Sequence, residues 1–398
     1  MDIKTAEFLK PSKYGLIEFL FVSLPMLSAY YHIDYYIIVI LAVISFIKTG
    51  GRLYKGSRAL AIMVAYAIIH EIVVCVFVQE VPDYHINNTL FRIVVLLSIF
   101  IMTPALNFER LFRCYILLTL IAVIGLLYHV FLIRTGNMVT MLKIPFLPVD
   151  PNSSAIELSY RPLSFFLEPS NLNAFLIFPL FYTLHYKKYI LAAIITISVF
   201  ISTSTNGIVT TSIMLMTYFF TQNIGVKRRL FLMALIVISG AFLVYSDYAL
   251  DSRTKVENTD IETTSRLING PSLVSGMPIE HLIVGFPAVS VEQYKDHTNY
   301  IPSVQLIGKN DAYFVSAFWL ILAKFGFVGL FLFFWAYYGL YKKNHHIIIV
   351  MLPLLVLKFS SGGAFDYGTF INTTLILSFI IYEDKTQQIG LSNKKIRP

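Results

Sequence analysis

Charged residues are scarce in this 398-residue chain: Asp, Glu, Lys and Arg together make up 14% of it. Cysteine and tryptophan are also scarce, with two of each. Cys75 and Cys114 both lie in apolar segments, so we predict no structural disulfide. Hydrophobic residues instead make up 57%, and the mean hydropathy is +0.70. This composition excludes a water-soluble domain of this length and indicates an integral membrane protein.

Apolar runs near the length needed to cross a bilayer occur along the whole chain. They predict an all-α polytopic membrane protein with about twelve transmembrane helices, which we treat as one membrane domain over residues 1–398. Consecutive runs show no internal repeat, which argues against a carrier. The predicted spans are roughly 14–31, 33–47, 58–78, 90–106, 114–134, 171–185, 189–204, 206–221, 230–246, 313–340, 347–359 and 368–382.

Basic residues form short clusters on alternate connections between these spans. The net charge is +8, but this alternation is typical of a topology signal rather than of nucleic-acid binding. Because cytoplasmic connections carry the basic excess, we predict that both termini are cytoplasmic. The polar stretch Met1–Lys13 has no evident cleavage site after it, so we interpret it as part of a retained signal anchor. The clusters are Lys4–Lys13, Lys48–Arg58, Arg110–Arg113, Lys187–Lys188, Lys227–Arg229, Lys342–Lys343 and Lys385–Arg397.

Two long polar loops, residues 135–170 and 247–312, fall on the external side, where we expect the chemistry to take place. The first loop ends in Arg161-Pro-Leu-Ser-Phe-Phe-Leu-Glu168-Pro-Ser-Asn171-Leu-Asn173. Charged and polar groups beside hydrocarbon are costly unless they are paired or used. Glu168-Pro169-Ser170 also has the form of a helix start, with an acid near the positive end of the helix dipole. Glu168 therefore has both a structural and a catalytic interpretation.

Polar motifs also occur in a short external turn and in the second loop. Ser202-Thr-Ser-Thr-Asn206-Gly207 is either a tight turn whose hydroxyls satisfy the backbone or a ligand contact. In the second loop, the stretch through Gly285 predicts a short helix on the membrane surface followed by a turn. The relevant segments are Ser265-Arg266-Leu-Ile-Asn-Gly270, Pro278-Ile-Glu280-His281-Leu-Ile-Val-Gly285-Phe, Lys309-Asn310-Asp311-Ala-Tyr313 and Ala323-Lys324-Phe-Gly326-Phe-Val-Gly329-Leu.

Together these segments resemble the Wzy-type O-antigen polymerases, within the superfamily of O-antigen polymerases and ligases. The order, spacing and common side of the segments carry the resemblance, since each is degenerate by itself. Related ligases commonly have a His near the start of the helix after the second loop. This chain has Asn310 and Asp311 there, which argues against a ligase and leaves the catalytic base unassigned.

The resemblance implies a GT-C-like fold and a glycosyltransferase of the bacterial cytoplasmic (inner) membrane, without metal or cofactor. Such an enzyme transfers a growing glycan from undecaprenyl diphosphate to a hydroxyl of another lipid-linked repeat unit, on the external face. It works within the biosynthesis of lipopolysaccharide and related polysaccharides. The expected partners are these lipid-linked oligosaccharides, the bilayer and a chain-length regulator protein, with no nucleic acid.

The chemistry of this reaction is compatible with the residues present. A diphosphate leaving group needs cationic stabilisation more than a proton donor, and Arg supplies it through a two-pronged contact without a metal. The sequence has no Asp-x-Asp pair for a metal and a nucleotide-sugar. We predict that the catalytic residues are Glu168, Asp311 and Arg266, with Glu280 or His281 as alternative bases. The predicted substrate contacts are Arg161, Arg266, Asn171, Asn206, Asn310 and His281.

Two other classes stay open. An O-antigen ligase or O-oligosaccharyltransferase would share the donor chemistry and use a different acceptor. A non-enzymatic flippase for lipid-linked glycans would need polar groups within the membrane, and the apolar segments contain His70, Glu71, Lys324 and Lys358. The structural interpretation of His70 and Glu71 is that they pair with each other.

Overall fold

A computed structural model describes residues 14–28, 30, 33–77, 83–149, 158–222, 225, 230, 234, 270–271, 273–286, 315–360 and 367–395. These residues form α-helices almost throughout. The described ranges contain one isolated antiparallel β-bridge, between Val139 and Ser159, and no β-strands. The described part of the chain is thus all-α, as the sequence predicts.

Twelve α-helices and one 3-10 turn are defined within the described residues. The helices before the second long loop are α1 (Leu16–Leu27), α2 (Ile33–Lys48), α3 (Arg58–Phe77), α4 (Asp83–Met102), α5 (Phe108–Arg134), α6 (Pro169–His185), α7 (Tyr189–Ile201) and α8 (Thr205–Thr221). Those within and after that loop are α9 (Ile279–Val284), α10 (Ala317–Lys343), α11 (Ile348–Ser360) and α12 (Tyr367–Lys395), with a 3-10 turn at His345–Ile347.

Each predicted apolar span except 230–246 coincides with one of these helices, and 230–246 lies almost entirely outside the described residues. The helices α4, α5 and α12 extend beyond the predicted spans. Apolar length marks only the part of a helix that hydrocarbon can accommodate, whereas the polar turns at its ends remain helical.

Two helices in the described part of the chain are long and apolar enough to cross a bilayer: α5 and α10, with 27 residues each. Four shorter apolar helical stretches lie at Leu16–Leu27, Thr89–Met102, Tyr189–Ile201 and His345–Lys358. By length and composition, α5 and α10 indicate membrane association. The twelve-span topology and the orientation of the termini remain predictions.

The chain divides into two compact units, each made of three segments. The first unit comprises Met1–Ile44, Ala105–Lys255 and Ile348–Pro353, and its core forms where α5 packs on α1, α6 and α7. In the same unit, α6 packs on α7 and α8. Large aromatic side chains fill this core, including the fully buried Phe175, Phe178, Phe181 and Tyr182 of α6.

The second unit comprises Ser45–Pro104, Val256–Ile347 and Leu354–Pro398. Its central pair is α3 against α10, to which α4 is added through α3 and α9 through α10. The helix α12 packs on α4. Gly326, at φ 67° and ψ −174°, interrupts α10, so this helix consists of two segments joined at a break.

Candidate functional site

The end of the first long loop is hydrogen-bonded to α5 in the first unit. The buried His129 accepts hydrogen bonds at Nδ1 from the backbone N–H groups of Leu163 and Ser164, both at 3.2 Å. The Ser164 hydroxyl donates to the Ala122 carbonyl at 2.7 Å. Since both N–H groups point at Nδ1, that nitrogen is the acceptor of the neutral imidazole. These contacts give the segment after Arg161 a fixed backbone.

Arg161 reaches from this fixed segment to the turn between α7 and α8. Its Nη2 donates to the Thr203 carbonyl at 3.1 Å, and its backbone N–H donates to the Ser159 hydroxyl at 2.9 Å. Thr203 has φ 56°, and Ser164 near Arg161 also has φ 56°. Left-handed backbone is costly for residues with a Cβ and especially for β-branched ones, and it concentrates at functional sites. The Arg161 guanidinium is therefore bound to the carbonyl of Thr203, a residue whose backbone is strained.

The start of α6 lies eight residues after Arg161. The helix begins at Pro169 with Glu168 as its N-cap, as the sequence predicts for Glu168-Pro169-Ser170. Glu168 is exposed, and its Oε2 accepts a hydrogen bond from the Ser170 hydroxyl at 2.8 Å. Asn171 is also exposed, on the first turn of α6. The positive end of the α6 dipole favours negative charge nearby, whether from Glu168 or from a bound phosphate.

Asn173 joins α6 to the turn between α7 and α8. It is buried, and its Nδ2 donates to the Ser202 hydroxyl and to the Pro169 carbonyl, both at 2.8 Å. A Cβ at Gly207 would collide with the Asn173 side chain. The turn itself is closed by Ser204, whose hydroxyl caps α8 by accepting from the Gly207 N–H. Asn206 is half-buried, and its carbonyl accepts from the Thr210 hydroxyl at 2.7 Å.

Two of the sequence motifs therefore meet in the first unit: the segment from Arg161 to Asn173 and the turn from Ser202 to Gly207. Their location on the external side of the membrane remains a prediction. The predicted site residues Arg161, Glu168, Asn171 and Asn206 all lie on these two segments. The contacts that join them use Asn173, Ser202 and Thr203, which were not among the predicted site residues. A β-branched residue at a positive φ has no reliable sequence signal, so Thr203 could not have been identified from the sequence.

Another two motifs meet in the second unit, where α9 ends against the break in α10. The Phe286 N–H donates to the Ala323 carbonyl at 3.0 Å. The Tyr66 hydroxyl on α3 lies 2.8 Å from the Val284 carbonyl and 2.9 Å from the Phe325 carbonyl. The break frees backbone groups that a continuous helix would pair, and Tyr66 satisfies one of them.

Gly285 and Gly326 allow this close approach. Gly285 has φ 91° and ψ 164°, and Gly326 has φ 67° and ψ −174°, both in a region that is essentially restricted to glycine. A Cβ at Gly285 would collide with the Lys324 carbonyl, and a Cβ at Gly326 would collide with the Ile283 carbonyl and the Gly285 N–H group.

We expect Gly326→Ala and Gly285→Ala each to lower the free energy of unfolding by more than about 1–3 kcal/mol, because a backbone clash adds to the conformational strain. Thermal unfolding of the purified protein in detergent measures the effect. Gly50→Ala is the matched control, because Gly50 also has a positive φ but no atom lies within 4 Å of the position that a Cβ would take there. Equal losses for Gly50→Ala and Gly326→Ala would contradict the proposed close contact.

Glu71 forms the centre of a buried ion cluster in the same unit. Its Oε1 lies 2.6 Å from Lys324 Nζ and 3.3 Å from Arg92 Nη1. The Lys324 side chain is 8% exposed and that of Arg92 is 43% exposed, so the cluster leads from the core to the surface. The predicted pairing of His70 with Glu71 is wrong, because consecutive helical residues do not face each other. The His70 ring instead packs on the Phe325 ring, with 4.8 Å between the ring centroids.

The remaining predicted residues belong to the second long loop. His281 lies on the short helix α9, where its half-buried ring packs edge-on against Phe286 at 4.7 Å. Arg266, Asn310 and Asp311 lie outside the described residues. The described ranges contain no group of three or more His, Cys, Asp or Glu side chains that could hold a metal ion.

Comparison with known proteins gives no family assignment. No protein-family model matches the chain, and no curated protein matches it either. The function must therefore be argued from the residues and their geometry.

Proposed function

We propose that the chain polymerises polysaccharide repeat units from undecaprenyl-diphosphate-linked precursors at the external face of the bacterial cytoplasmic membrane. In this proposal it is a metal-independent glycosyltransferase embedded through about twelve helices. The observation that supports it best is Arg161, whose guanidinium is held at the Thr203 carbonyl on a fixed backbone. The adjacent Ser202 is bonded to Asn173 near the start of α6. An Arg fixed beside a helix N-terminus is suited to binding phosphate oxygens.

The proposed reaction needs one bond to form and one to break. The hydroxyl oxygen of an acceptor repeat unit attacks the anomeric carbon of the donor glycan, and the bond from that carbon to the diphosphate oxygen breaks. Undecaprenyl diphosphate leaves with the bonding electrons, and the proton of the acceptor hydroxyl passes to a base. Charge grows on the diphosphate, so a fixed guanidinium stabilises the transition state more than the ground state.

Glu168 is the first candidate base, and Glu280 and His281 on α9 are the alternatives in the described part of the chain. The Glu168 carboxylate is exposed and oriented by the Ser170 hydroxyl, which makes it accessible to a substrate hydroxyl. Asp311 is the second candidate, and Arg266 is the second candidate cation, both on the other external loop. Asn171 and Asn206 are proposed to contact sugar hydroxyls, together with Asn310 and His281.

The flippase alternative rests on ionisable residues within the apolar helices. The geometry weakens this alternative, because Glu71 and Lys324 are joined by a 2.6 Å ion pair that accounts for both charges structurally. The ligase alternative shares the donor site of the polymerase, and it is distinguished by its product.

Deletion of the gene tests the proposal in cells. We expect the surface lipid still to be capped with a single repeat unit, because flipping and ligation of one unit do not require polymerisation. Gel analysis of the surface polysaccharide shows the cap as a single band in place of a ladder. A clean deletion without any capped product would reject the polymerase and favour a ligase or a flippase.

A further inference from the structure

A groove of 580 Å³ runs along the surface of the second unit between α3 and α4. Its lining residues belong neither to the Arg161–Thr203 contact nor to the ion cluster around Glu71. It begins at the loop between α2 and α3, at Leu53 and Tyr54, and continues along α3 as far as Ile69. This volume is within the range of binding sites for small molecules.

The walls of the groove along the helices are apolar. Ala61, Ala65 and Ile69 are exposed and recur every four residues on one face of α3, so the two small alanines form a depression below larger neighbours. Leu97 and Phe100 of α4 form the opposite wall, with Leu97 44% exposed. This surface needs an apolar occupant, because open water would hydrate it unfavourably.

Positive charge lies at one end of the groove. Lys55 and Arg58 line its opening, and both are exposed. Nearby, Lys343 Nζ lies 3.3 Å from the Tyr54 hydroxyl, while burial and the charge of Asp384 raise the pKa of Tyr54 to about 12. Tyr54 therefore stays protonated and neutral at physiological pH. Lys55, Arg58 and Lys343 are cationic at this opening, and Asp384 is the one anion named with them. The opening therefore carries a net positive charge.

The length of the groove matches one leaflet of a bilayer. From Arg58 to Ile69 is eleven residues of helix, or roughly 16 Å, against about 15 Å for half of a bilayer core. A chain molecule with an anionic head fits both the apolar walls and the charged opening. We propose that the groove binds an anionic phospholipid, with an acyl chain along Ala61, Ala65 and Ile69 and its phosphate on Lys55 and Arg58.

This inference rests on the membrane location of the chain and not on its proposed transferase activity. The sequence pattern places Lys55 and Arg58 on the cytoplasmic side, where basic residues face anionic headgroups. The proposed donor site lies on the external loops, so the polyprenyl diphosphate substrate is not the expected occupant. The α3 helix also carries Tyr66 and Glu71, so a lipid along α3 is expected to stabilise the second unit.

Native mass spectrometry of the purified full-length protein tests this proposal, with phosphatidylglycerol and phosphatidylcholine of identical acyl chains as probes. We expect one phosphatidylglycerol adduct that resists activation and much weaker binding of phosphatidylcholine. Lys55→Ser and Arg58→Ser should each weaken the adduct about fivefold, which corresponds to about 1 kcal/mol per basic residue near a lipid headgroup. Ala65→Leu, which fills the groove, should remove the adduct without changing protein yield.

Two variants serve as controls. Arg110→Ser removes an exposed basic residue from another connection predicted to be cytoplasmic, and Ala193→Leu enlarges a half-exposed alanine on α7. Both should leave the adduct intact. Equal binding of the two lipids, displacement of phosphatidylglycerol by undecaprenyl phosphate, or a dimer that forms in place of the adduct would each overturn the proposal. None of these readouts depends on polymerisation.

Discussion

Replacing Arg161 with alanine is expected to abolish the polysaccharide ladder while leaving the single-unit cap. The proposed guanidinium contact with the leaving diphosphate strengthens as charge develops, and removal of one such donor typically lowers a rate by about 10²–10³-fold. Arg161→Lys should restore little activity, because an ammonium group cannot form the two-pronged contact. The ladder is measured on gels of surface polysaccharide, and the rate is measured with the purified protein and lipid-linked repeat units.

Arg134→Ala is the matched control for this variant. Arg134 is an exposed arginine at the end of α5, at the start of the same loop, which is predicted to be external, and it should tolerate the change. Because Arg161 also binds the Thr203 carbonyl, protein abundance and thermal stability must be compared as well. A normal ladder from Arg161→Ala would exclude Arg161 from the donor site. A lost ladder accompanied by unfolding would assign Arg161 a structural role only.

The second large effect is expected at the buried ion cluster. Lys324→Met leaves Glu71 in the core with only the half-exposed Arg92, and Glu71→Gln leaves two cations close together. Breaking a buried ion pair by removing one partner typically costs about 3–5 kcal/mol. Both single variants should therefore unfold at markedly lower temperature, and their abundance in the membrane should fall.

Replacing both partners should be much less harmful. In the double variant Glu71→Leu with Lys324→Met, the charges that needed each other are gone, and apolar side chains of similar size take their place. Lys342→Met is the control, since Lys342 is exposed and its main contact is with the Tyr338 ring at 5.0 Å. If the double variant were no more stable than the weaker single variant, the ion pair would not explain the stability of this region.

The expected loss of stability has a structural consequence for α10. Lys324 lies two residues before the break at Gly326, and Tyr66 and Glu71 on α3 hold the carbonyl of Phe325 and the ammonium of Lys324. Two side chains of α3 thus bind consecutive residues just before the break. Because a broken helix has lost part of its internal hydrogen bonding, contacts from a neighbouring helix are needed to keep one geometry. We interpret the ion cluster as part of the support for the break.

Helix positions could be predicted from the sequence because they follow from apolar composition over short distances. The runs from α1 to α8 and from α10 to α12 were located within a few residues, apart from the polar turns at their ends. The start of α6 was also predictable, because proline at the first helical position is a local signal. Which helices pack together was not predictable, since most of these surfaces are uniformly apolar.

The site could be predicted only in part. Arg161 and the turn from Ser202 to Gly207 stand out as polar groups beside apolar runs, and the structure brings them into contact. The pairing of Glu71 with Lys324, 253 positions away in the sequence, could not be found in the same way. The neighbouring His70 was the closer partner along the chain, but helical geometry directs the two side chains to different faces.

The sequence by itself determined that this protein is helical, strongly apolar and organised around two polar loops, because composition and periodicity set the solvent that each segment prefers. Only the tertiary structure decided which polar groups meet: Arg161 with Thr203, Asn173 with Ser202, and Glu71 with Lys324 and Arg92. It also decided that Gly285 and Gly326 touch through their backbones. These contacts join distant residues through directional bonds and close packing, which local sequence patterns do not encode.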